Sequence, residues 1–372
     1  MTDRYEPIRA IARDLHVDAV ALVPGANFTR LMGHAFLSFE RPLVLVIPAE
    51  GAPAAIVPNI ELASWADVGF EGETFDWRDQ DGHAGAFAAL AGAMPLDSIA
   101  VEGQVMRVFV HHALTRAFPD LRVIDAEREI SALRLCKRPD EVAALREAIS
   151  VSEAALSEVL DEIRTGQTEK QIERRLVQAM FAHGAESIAF TPLVAAGANS
   201  AQVHAMARET YGIRPGDALL FDFGASCGGF TADITRTVFV EHASDEAADV
   251  YATVLAANAR GHAITRPGIT AHEIDDAVTG VLEASPYAGF IRTKTGHGLG
   301  REVHEAPYIM RGNRQVLSAG TVFTNEPGLY LDGKFGVRIE DDMLVTEQGG
   351  LSLTTLPRGL TVVGQPRTRA AT

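Results

Sequence analysis

The stretch LLFDFGASCGGFTADITRT, residues 219–237, places two aspartates in segments that otherwise have the composition of buried β-strands. Asp222 and Asp233 are separated by several glycines and surrounded by apolar residues. Carboxylates are seldom buried without a partner, so the fold must supply either a basic side chain or a metal ion. The glycines predict a tight hairpin that brings the two aspartates side by side on neighbouring strands.

The length of 372 residues exceeds what one hydrophobic core usually supports, so two domains are expected. Short apolar runs that end in Pro or Gly alternate with alanine-rich segments over residues 1–132, which predicts a small α/β domain with a mixed or partly parallel sheet. Over residues 133–366 helical patterns come first and strands dominate the end, which predicts an α+β domain. Residues 367–372 are expected to form a loose tail.

Four helices are predicted in the second domain from apolar periodicity and capping residues. Their predicted bounds are Ser131–Ile163, with Pro139 in the first turn, Thr168–Gly184, Asp245–His262 and Ala271–Leu282. Strands are predicted in the runs DALLFDFGA, TRTVFV, TVFTNEP, GVRIEDDMLVT and LSLTT.

The composition excludes several classes of protein. A net charge of -16 leaves no basic face for a nucleic acid and no basic amphipathic anchor for a membrane. No apolar run approaches the ~18 residues of a membrane-spanning helix. The two cysteines lack CxxC spacing, which argues against a disulfide framework and a thiolate zinc site. We therefore expect a soluble cytoplasmic protein without nucleic-acid or membrane partners.

Four acids and one histidine lie in apolar or glycine-bounded strand contexts after residue 219. They are Asp222, Asp233, His297, Glu326 and Glu340. An oxygen-rich set with one imidazole suits divalent Mn, Zn or Co, and five ligands exceed what one tetrahedral zinc uses. With two bridging carboxylates the same set holds two metals about 3.5–4 Å apart. Each acid alone also has a simpler interpretation as a turn residue or as the partner of a nearby arginine.

Four segments carry a resemblance to a known family. DFGASCGGFTADITRT, GHGLGREVHEAP, TNEPGLY and GVRIEDDMLVT resemble, in this order, the pita-bread metallopeptidases, which include methionine aminopeptidase, aminopeptidase P and prolidase. The spacings of 11, 64, 29 and 14 residues between the five candidate ligands are similar to those of the prolidase and aminopeptidase P branch. The resemblance implies a pita-bread domain after a smaller creatinase-type domain. It also implies a homodimer in which the N-terminal domain of one subunit closes near the other's active site.

The resemblance implies a role for each of the five ligands. Asp222 binds one metal, His297 and Glu326 bind the other, and Asp233 and Glu340 bridge both. The two ions activate a water molecule, and Glu326 is the general base. The implied activity is hydrolysis of the Xaa-Pro bond in dipeptides or at the free N-terminus of longer peptides.

Three further residues are candidates for catalysis or substrate binding. The resemblance implies that His204 contacts substrate and steadies the oxyanion, and that His304 does the same from the segment after His297. A histidine that only supports the site and an exposed loop histidine are the alternatives. Arg338, two residues before Glu340, is a candidate partner either for a substrate carboxylate or for a structural acid.

Two positions depart from the family pattern. Val203 stands where the family often has proline, and Phe230 stands where it often has tyrosine. The alternatives to a proline-directed peptidase are a relative that hydrolyses a small non-peptide amide and a non-catalytic binding protein. The identity of the metal and the length of the substrate stay open.

Overall fold

The computed structural model describes residues 3–364, and the chain divides into two compact units, residues 1–134 and 135–372. The predicted boundary after residue 132 lies close to this division. The predicted loose tail, residues 367–372, lies outside the described residues. Among the helices of residues 3–364, none combines the length and apolarity needed to cross a membrane.

The first unit is built around one six-stranded sheet. Its elements in chain order are α1 Glu6–Asp14, β1 Ala19–Leu22, α2 Ala26–Met32, β2 Val44–Pro48, β3 Ala54–Pro58, α3 Leu62–Asp67, β4 Glu73–Trp77, α4 Ala84–Ala93, β5 Ser98–Val101, α5 Val108–Ala117, β6 Arg122–Asp125 and α6 Glu127–Ser131. The strand order is β4-β3-β2-β1-β5-β6. The β1–β5, β5–β6 and β3–β4 pairs are parallel and the β1–β2 and β2–β3 pairs antiparallel, which confirms the predicted mixed sheet.

Strand β1 shows why this sheet is buried on both faces. Its sequence AVAL is apolar throughout, and successive side chains point to opposite faces. Val20 and Leu22 pack into one hydrophobic cluster, with residues of α1. Ala19 and Ala21 pack into a second cluster, with residues of α4 and α5. Strand β4 was not predicted from the sequence, because most of its side chains are exposed or partly exposed and do not form an apolar run.

The second unit begins with two long helices and ends in strands. Its elements are α7 Pro139–Glu162, α8 Glu169–Ala182, β7 Ser187–Ile188, β8 Leu193–Ala196, β9 Ala218–Phe223, β10 Ala225–Cys227, β11 Phe230–Thr231, β12 Ile234–Val240, α9 Asp245–Ile264, α10 Ala271–Glu283, β13 Gly296–Gly298, β14 Glu305–Ile309, β15 Val322–Asn325, β16 Gly328–Leu331, β17 Phe335–Arg338, β18 Asp341–Thr346, β19 Gly349–Ser352 and β20 Val362–Val363.

Helix α7 begins at Pro139 and not at Ser131 as predicted. Arg138 has an extended backbone, with ψ at 161°, because proline disfavours the helical region for the residue before it. Proline is tolerated at the first helical position, where its missing N–H has no partner in any case. The other three predicted helices agree closely with α8, α9 and α10, and Thr168 caps α8 as the capping pattern indicates.

Two larger sheets form the centre of the second unit. One has the order β20-β12-β9-β8 and the other the order β14-β13-β15-β18-β19. On β9, Leu219, Phe221 and Phe223 pack into the hydrophobic cluster that also contains residues of α7 and α8. Because a strand alternates its faces, Asp222 points to the opposite side of this sheet, away from that cluster.

Candidate active site

The five predicted metal ligands lie together in the second unit. Asp222 is on β9, Asp233 immediately precedes β12, His297 is on β13, Glu326 follows β15, and Glu340 lies between β17 and β18. Ligand atoms of Asp222, Asp233 and Glu340 lie within 4.8 Å of one another, as do those of His297, Glu326 and Glu340. Elements that are far apart in the chain therefore converge on one cluster.

The pairing of β9 with β12 brings the two aspartates together. The strands are antiparallel, with Asp222 opposite Thr235, two residues after Asp233. Between them, Gly228 and Gly229 turn the chain from β10 to β11 with φ of 57° and 72°, a left-handed conformation that glycine adopts without strain. The structure thus contains the tight turn predicted from the glycines, although the small β10–β11 hairpin is inserted between β9 and β12.

His297 is held in one orientation by its neighbours. Its Nδ1 donates to the Gly298 carbonyl oxygen at 3.1 Å, which turns the ring so that Nε2 faces the acids of the cluster, the orientation that a metal ligand needs. The Nε2 atom lies 3.1 Å from Glu326 Oε1 and 3.6 Å from Asp233 Oδ2. The Thr324 hydroxyl accepts from the His297 N–H at 3.0 Å and donates to Glu326 Oε1 at 3.1 Å, which ties the two residues together.

A buried arginine connects two of the candidate ligands. Arg338 is 3% exposed, and its Nη2 donates to Asp222 Oδ2. Its Nε donates to the Thr235 hydroxyl at 2.9 Å, and Thr235 donates to Glu340 Oε2 at 2.5 Å. Its Nη1 donates to the Tyr330 hydroxyl at 2.9 Å. These contacts support a positioning role for Arg338, one of the two roles expected from the sequence.

Crowding of acids dominates the electrostatics of the cluster. Burial, and then the charge of Asp222, raise the pKa of Asp233 well above its usual range, while burial and Asp233 do the same to the pKa of Glu340. Burial also raises the pKa of Asp222, and Arg338 opposes it. For Glu326 burial is outweighed by the hydrogen bond and charge of His297, so its pKa falls below the usual value.

The cluster lies in a cavity of about 430 Å³. Apart from the five candidate ligands, its walls are formed by Phe190, Val203, His204, Thr293, Lys294, Val303, His304 and Arg338. The His304 ring lies 4.0 Å from the His297 ring, edge to face. Partial burial, and then His297, lower the pKa of His304 to about 4, so the ring is neutral at pH 7. Both additional histidines therefore border the same cavity, and both are exposed to solvent.

The residues of the cluster are chemically suited to divalent cations. Four carboxylates face a single buried guanidinium, and like charges at this distance cannot all ionise without a counterion. Asp222 Oδ1 is buried and has no hydrogen-bond partner among residues 3–364, although an unpaired buried carboxylate oxygen is costly. Glu340 is the one candidate ligand shared by the group with Asp222 and Asp233 and the group with His297 and Glu326, so it lies between these two sets of ligand atoms.

Sequence reasoning missed three residues that support the cluster: Thr235, Tyr330 and Thr324. All three are fully buried, and their hydroxyls bind a candidate ligand or Arg338. Thr235 and Thr324 each stand two residues from a candidate ligand, on the same face of an extended segment. A threonine two residues from a candidate ligand in an apolar strand was therefore the sequence signal that could have identified Thr235 and Thr324.

The two departures from the family pattern have different surroundings. Val203 lines the cavity beside His204. Phe230 is 4% exposed, packs in the hydrophobic cluster with α7 residues, and lies 4.4 Å below the Arg301 guanidinium. Phe230 is not among the residues that line the cavity.

Comparison with known proteins identifies a family for each region of the chain. The family described as Metallopeptidase family M24 matches residues 143–347, and the Creatinase/Prolidase N-terminal domain matches residues 4–136. A probable dipeptidase PepE of Mycobacterium bovis is 33% identical over 95% of this chain and 94% of its own length.

Solved structures resemble the whole chain. A prolidase from Thermococcus sibiricus superimposes with a TM-score of 0.90 at 32% identity, covering 97% of this chain and 98% of that protein. An X-Pro aminopeptidase from Thermotoga maritima gives 0.82 at 31% identity, covering 95% and 100%. With both regions matched and the cluster in place, the chain belongs to Metallopeptidase family M24, with the pita-bread domain of that family following a Creatinase/Prolidase N-terminal domain.

Proposed function

We propose that this protein is a metal-dependent peptidase that hydrolyses the Xaa-Pro bond, with dipeptides as its preferred substrates. The observation that carries the proposal is the cluster of four carboxylates and His297 at the floor of one cavity. The named relatives support the substrate class, because they include a probable dipeptidase and a prolidase. Longer Xaa-Pro peptides are the alternative substrate, because the X-Pro aminopeptidase from Thermotoga maritima is also similar to this chain.

We assign the five ligands to two divalent ions, which can be Mn, Zn or Co. Asp222 would hold one ion, His297 and Glu326 would hold the other, and Asp233 and Glu340 would serve both. Bound there, the two ions would lower the pKa of water and polarise the scissile carbonyl. The family is the basis for two ions, and the ligand groups within 4.8 Å support the division between them.

The protein's own groups move the proton. Among the candidate ligands Glu326 is the acid whose pKa is lowered, so its carboxylate is ionised and able to accept a proton at neutral pH. It then delivers that proton to the departing proline nitrogen. His304 is neutral at pH 7, so its ring can donate a hydrogen bond to the developing oxyanion without placing another cation beside the ions. We assign His204 to substrate contact at the mouth of the cavity.

Metal content and turnover together test this function. The purified protein is loaded with Mn²⁺ or Zn²⁺ and assayed with Xaa-Pro dipeptides, Xaa-Pro tripeptides and dipeptides without proline. Turnover confined to Xaa-Pro dipeptides is the expected result. Turnover of longer chains replaces the dipeptidase by an aminopeptidase. Bound metal without turnover of any proline peptide refutes the proposal and favours a small amide substrate or a binding role.

Two substitutions of the same type separate the site from general effects on the protein. Glu326→Gln removes the proposed base while keeping the shape of the side chain, and we expect turnover to fall by about 10²–10⁴-fold. Glu347→Gln changes an exposed acid after β18 and leaves turnover unchanged. Near-normal activity of Glu326→Gln contradicts the assignment. The homodimer and the cytoplasmic location expected from the sequence remain predictions.

A further inference from the structure

The cavity has a basic residue at its rim that the proposed chemistry does not use. Lys294 and its neighbour Thr293 are among the lining residues, and the Lys294 side chain is exposed. Its Nζ lies 5.7 Å from the centre of the Tyr308 ring, a distance at which a cation and an aromatic face attract each other. Tyr308 is on the edge strand β14 and is itself 37% exposed, so both groups are accessible from solvent.

The backbone of Lys294 is fixed relative to the candidate metal ligands. The next residue, Thr295, is buried, and its N–H donates to Asp275 Oδ1 at 2.8 Å. The Thr295 carbonyl oxygen accepts from the Glu326 N–H at 2.7 Å. Lys294 therefore lies one residue from the point at which its segment is bound to Glu326, and only its side chain is free to move.

The two basic residues that line the cavity, Lys294 and Arg338, differ in whether their charge is already paired. Arg338 is buried and already donates to Asp222, Thr235 and Tyr330. Lys294, in contrast, makes no ion pair with any carboxylate in residues 3–364. A carboxylate that enters a largely enclosed cavity loses hydration and needs a cation or other hydrogen-bond donors in its place. Of the lysines and arginines that line the cavity within residues 3–364, Lys294 is the one whose charge is available to an incoming anion.

We propose that Lys294 binds the free α-carboxylate of the dipeptide substrate and thereby selects dipeptides over longer chains. This inference rests on the proposed function. In a dipeptide the carboxylate follows the scissile carbonyl by a single residue, about 3.5 Å of extended chain. In a tripeptide that position holds a neutral amide, and the carboxylate lies one residue further out. A lysine whose backbone lies one residue from the contact with Glu326 can therefore distinguish the two substrates by their charge at this position.

The contact acts on binding more than on chemistry. The carboxylate is remote from the bond that breaks and is bound equally in the ground state and the transition state. Loss of the contact therefore raises KM and leaves kcat nearly unchanged. A charge-assisted hydrogen bond predicts a rise in KM of about tenfold to a hundredfold.

The experiment compares Lys294→Gln, Lys294→Arg and the control Lys334→Gln in the metal-loaded protein. Lys334 is an exposed lysine of the same unit that pairs with Glu246 outside the cavity. Substrates are an Xaa-Pro dipeptide and its C-terminal amide. We expect Lys294→Gln to raise KM for the acid alone, Lys294→Arg to retain most of the preference for the acid, and the control to behave as wild type. Equal effects on acid and amide, or no effect on either, overturn the inference.

A binding measurement separates this inference from the proposed function. A dipeptide isostere in which a methylene replaces the scissile carbonyl, and its C-terminal amide, are titrated calorimetrically into the same variants. Tighter binding of the acid that disappears in Lys294→Gln supports the carboxylate contact even if wild type hydrolyses no Xaa-Pro peptide. Hydrolysis by wild type with identical binding of acid and amide leaves the function standing and removes Lys294 from it.

Discussion

Metal binding to this protein is expected to release protons, in a number set by the crowded carboxylates. Without metal, burial and mutual repulsion raise the pKa of Asp233 and Glu340 well above the usual range. Those two groups therefore hold their protons to a higher pH than free carboxyl groups do, and a cation must displace the protons that remain. Titration of Mn²⁺ at about pH 5, just above the ordinary carboxyl values, is expected to release up to about two protons per chain.

The magnitude follows from linkage. Each displaced proton makes the free energy of metal binding vary by about 1.4 kcal/mol per pH unit, which is tenfold in affinity. Two protons make the affinity rise by about a hundredfold per pH unit. The rise continues up to the raised pKa values of the folded protein and levels off as the pH passes them.

The same pKa shifts set how the stability of the metal-free protein varies with pH. The folded state binds more protons at these acids than the unfolded state, so the free energy of unfolding falls as pH rises from the ordinary values of 3.8 and 4.5 to the raised values of the folded protein. His304 has the opposite sign, because its pKa is lowered from 6.5 to about 4 and folding is favoured as the unfolded ring loses its proton. Above pH 6.5 the contribution of His304 is constant.

Calorimetry in buffers of different ionisation enthalpy counts the protons directly. Glu347→Gln is the control, because Glu347 is exposed and belongs to none of the ligand groups. It should leave the proton count unchanged, whereas Glu340→Gln should lower it by about one. Tight Mn²⁺ binding with no proton release at about pH 5 refutes the reasoning, since the acids would then be ionised before the metal arrives.

Three further substitutions test the surroundings of the site. Arg338→Met removes the guanidinium from Asp222 and Thr235, and we expect metal affinity by calorimetry to fall about 10–100-fold. Asp341→Ala leaves Arg236 buried without its carboxylate and should lower the free energy of unfolding in urea by about 3–5 kcal/mol, against less than about 1 kcal/mol for the exposed pair partner in Asp332→Ala. Gly296→Ala puts a Cβ 1.8 Å from the Thr324 carbonyl oxygen and should abolish metal binding, whereas Gly92→Ala in α4 meets nothing within 4 Å and should raise stability by about 1 kcal/mol.

The positions of the candidate ligands could be predicted because each acid interrupts an apolar strand. Burying a carboxylate is costly enough that its presence in such a run already implies a partner. The run GVRIEDDMLVT shows the limit of that reasoning, because it was predicted as one strand. The structure divides it into β17 and β18, and Glu340 lies at the break. Strand periodicity is the same on both sides of the break, so no local signal marks it.

The contacts of Arg338 with Thr235 and Asp222 could not be predicted because they join residues 103 and 116 positions apart. Arg338 reaches Thr235 and Asp222 only once β17 lies beside β9 and β12. Gly336 in β17 allows a close approach to the Ser200 carbonyl, since a Cβ there would lie 2.1 Å from that oxygen. Sequence alone left two roles open for Arg338, binding of a substrate carboxylate or pairing with a structural acid. Its hydrogen bonds to Thr235, Tyr330 and Asp222 favour the second.

Of the two positions that depart from the family pattern, Val203 is the better candidate for a difference in substrate preference, and Phe230 is the weaker one. From the sequence both positions were candidates, because both depart from the usual pattern near a candidate ligand. Phe230 packs into the hydrophobic cluster and beneath Arg301, so its side chain contributes to the stability of the β10–β11 hairpin. Val203 faces the cavity next to His204, and Lys294 lines the same cavity. The aliphatic side chain at position 203 offers an apolar contact, and the cation at position 294 can bind an anion. Together they match a proline ring that carries a free carboxylate.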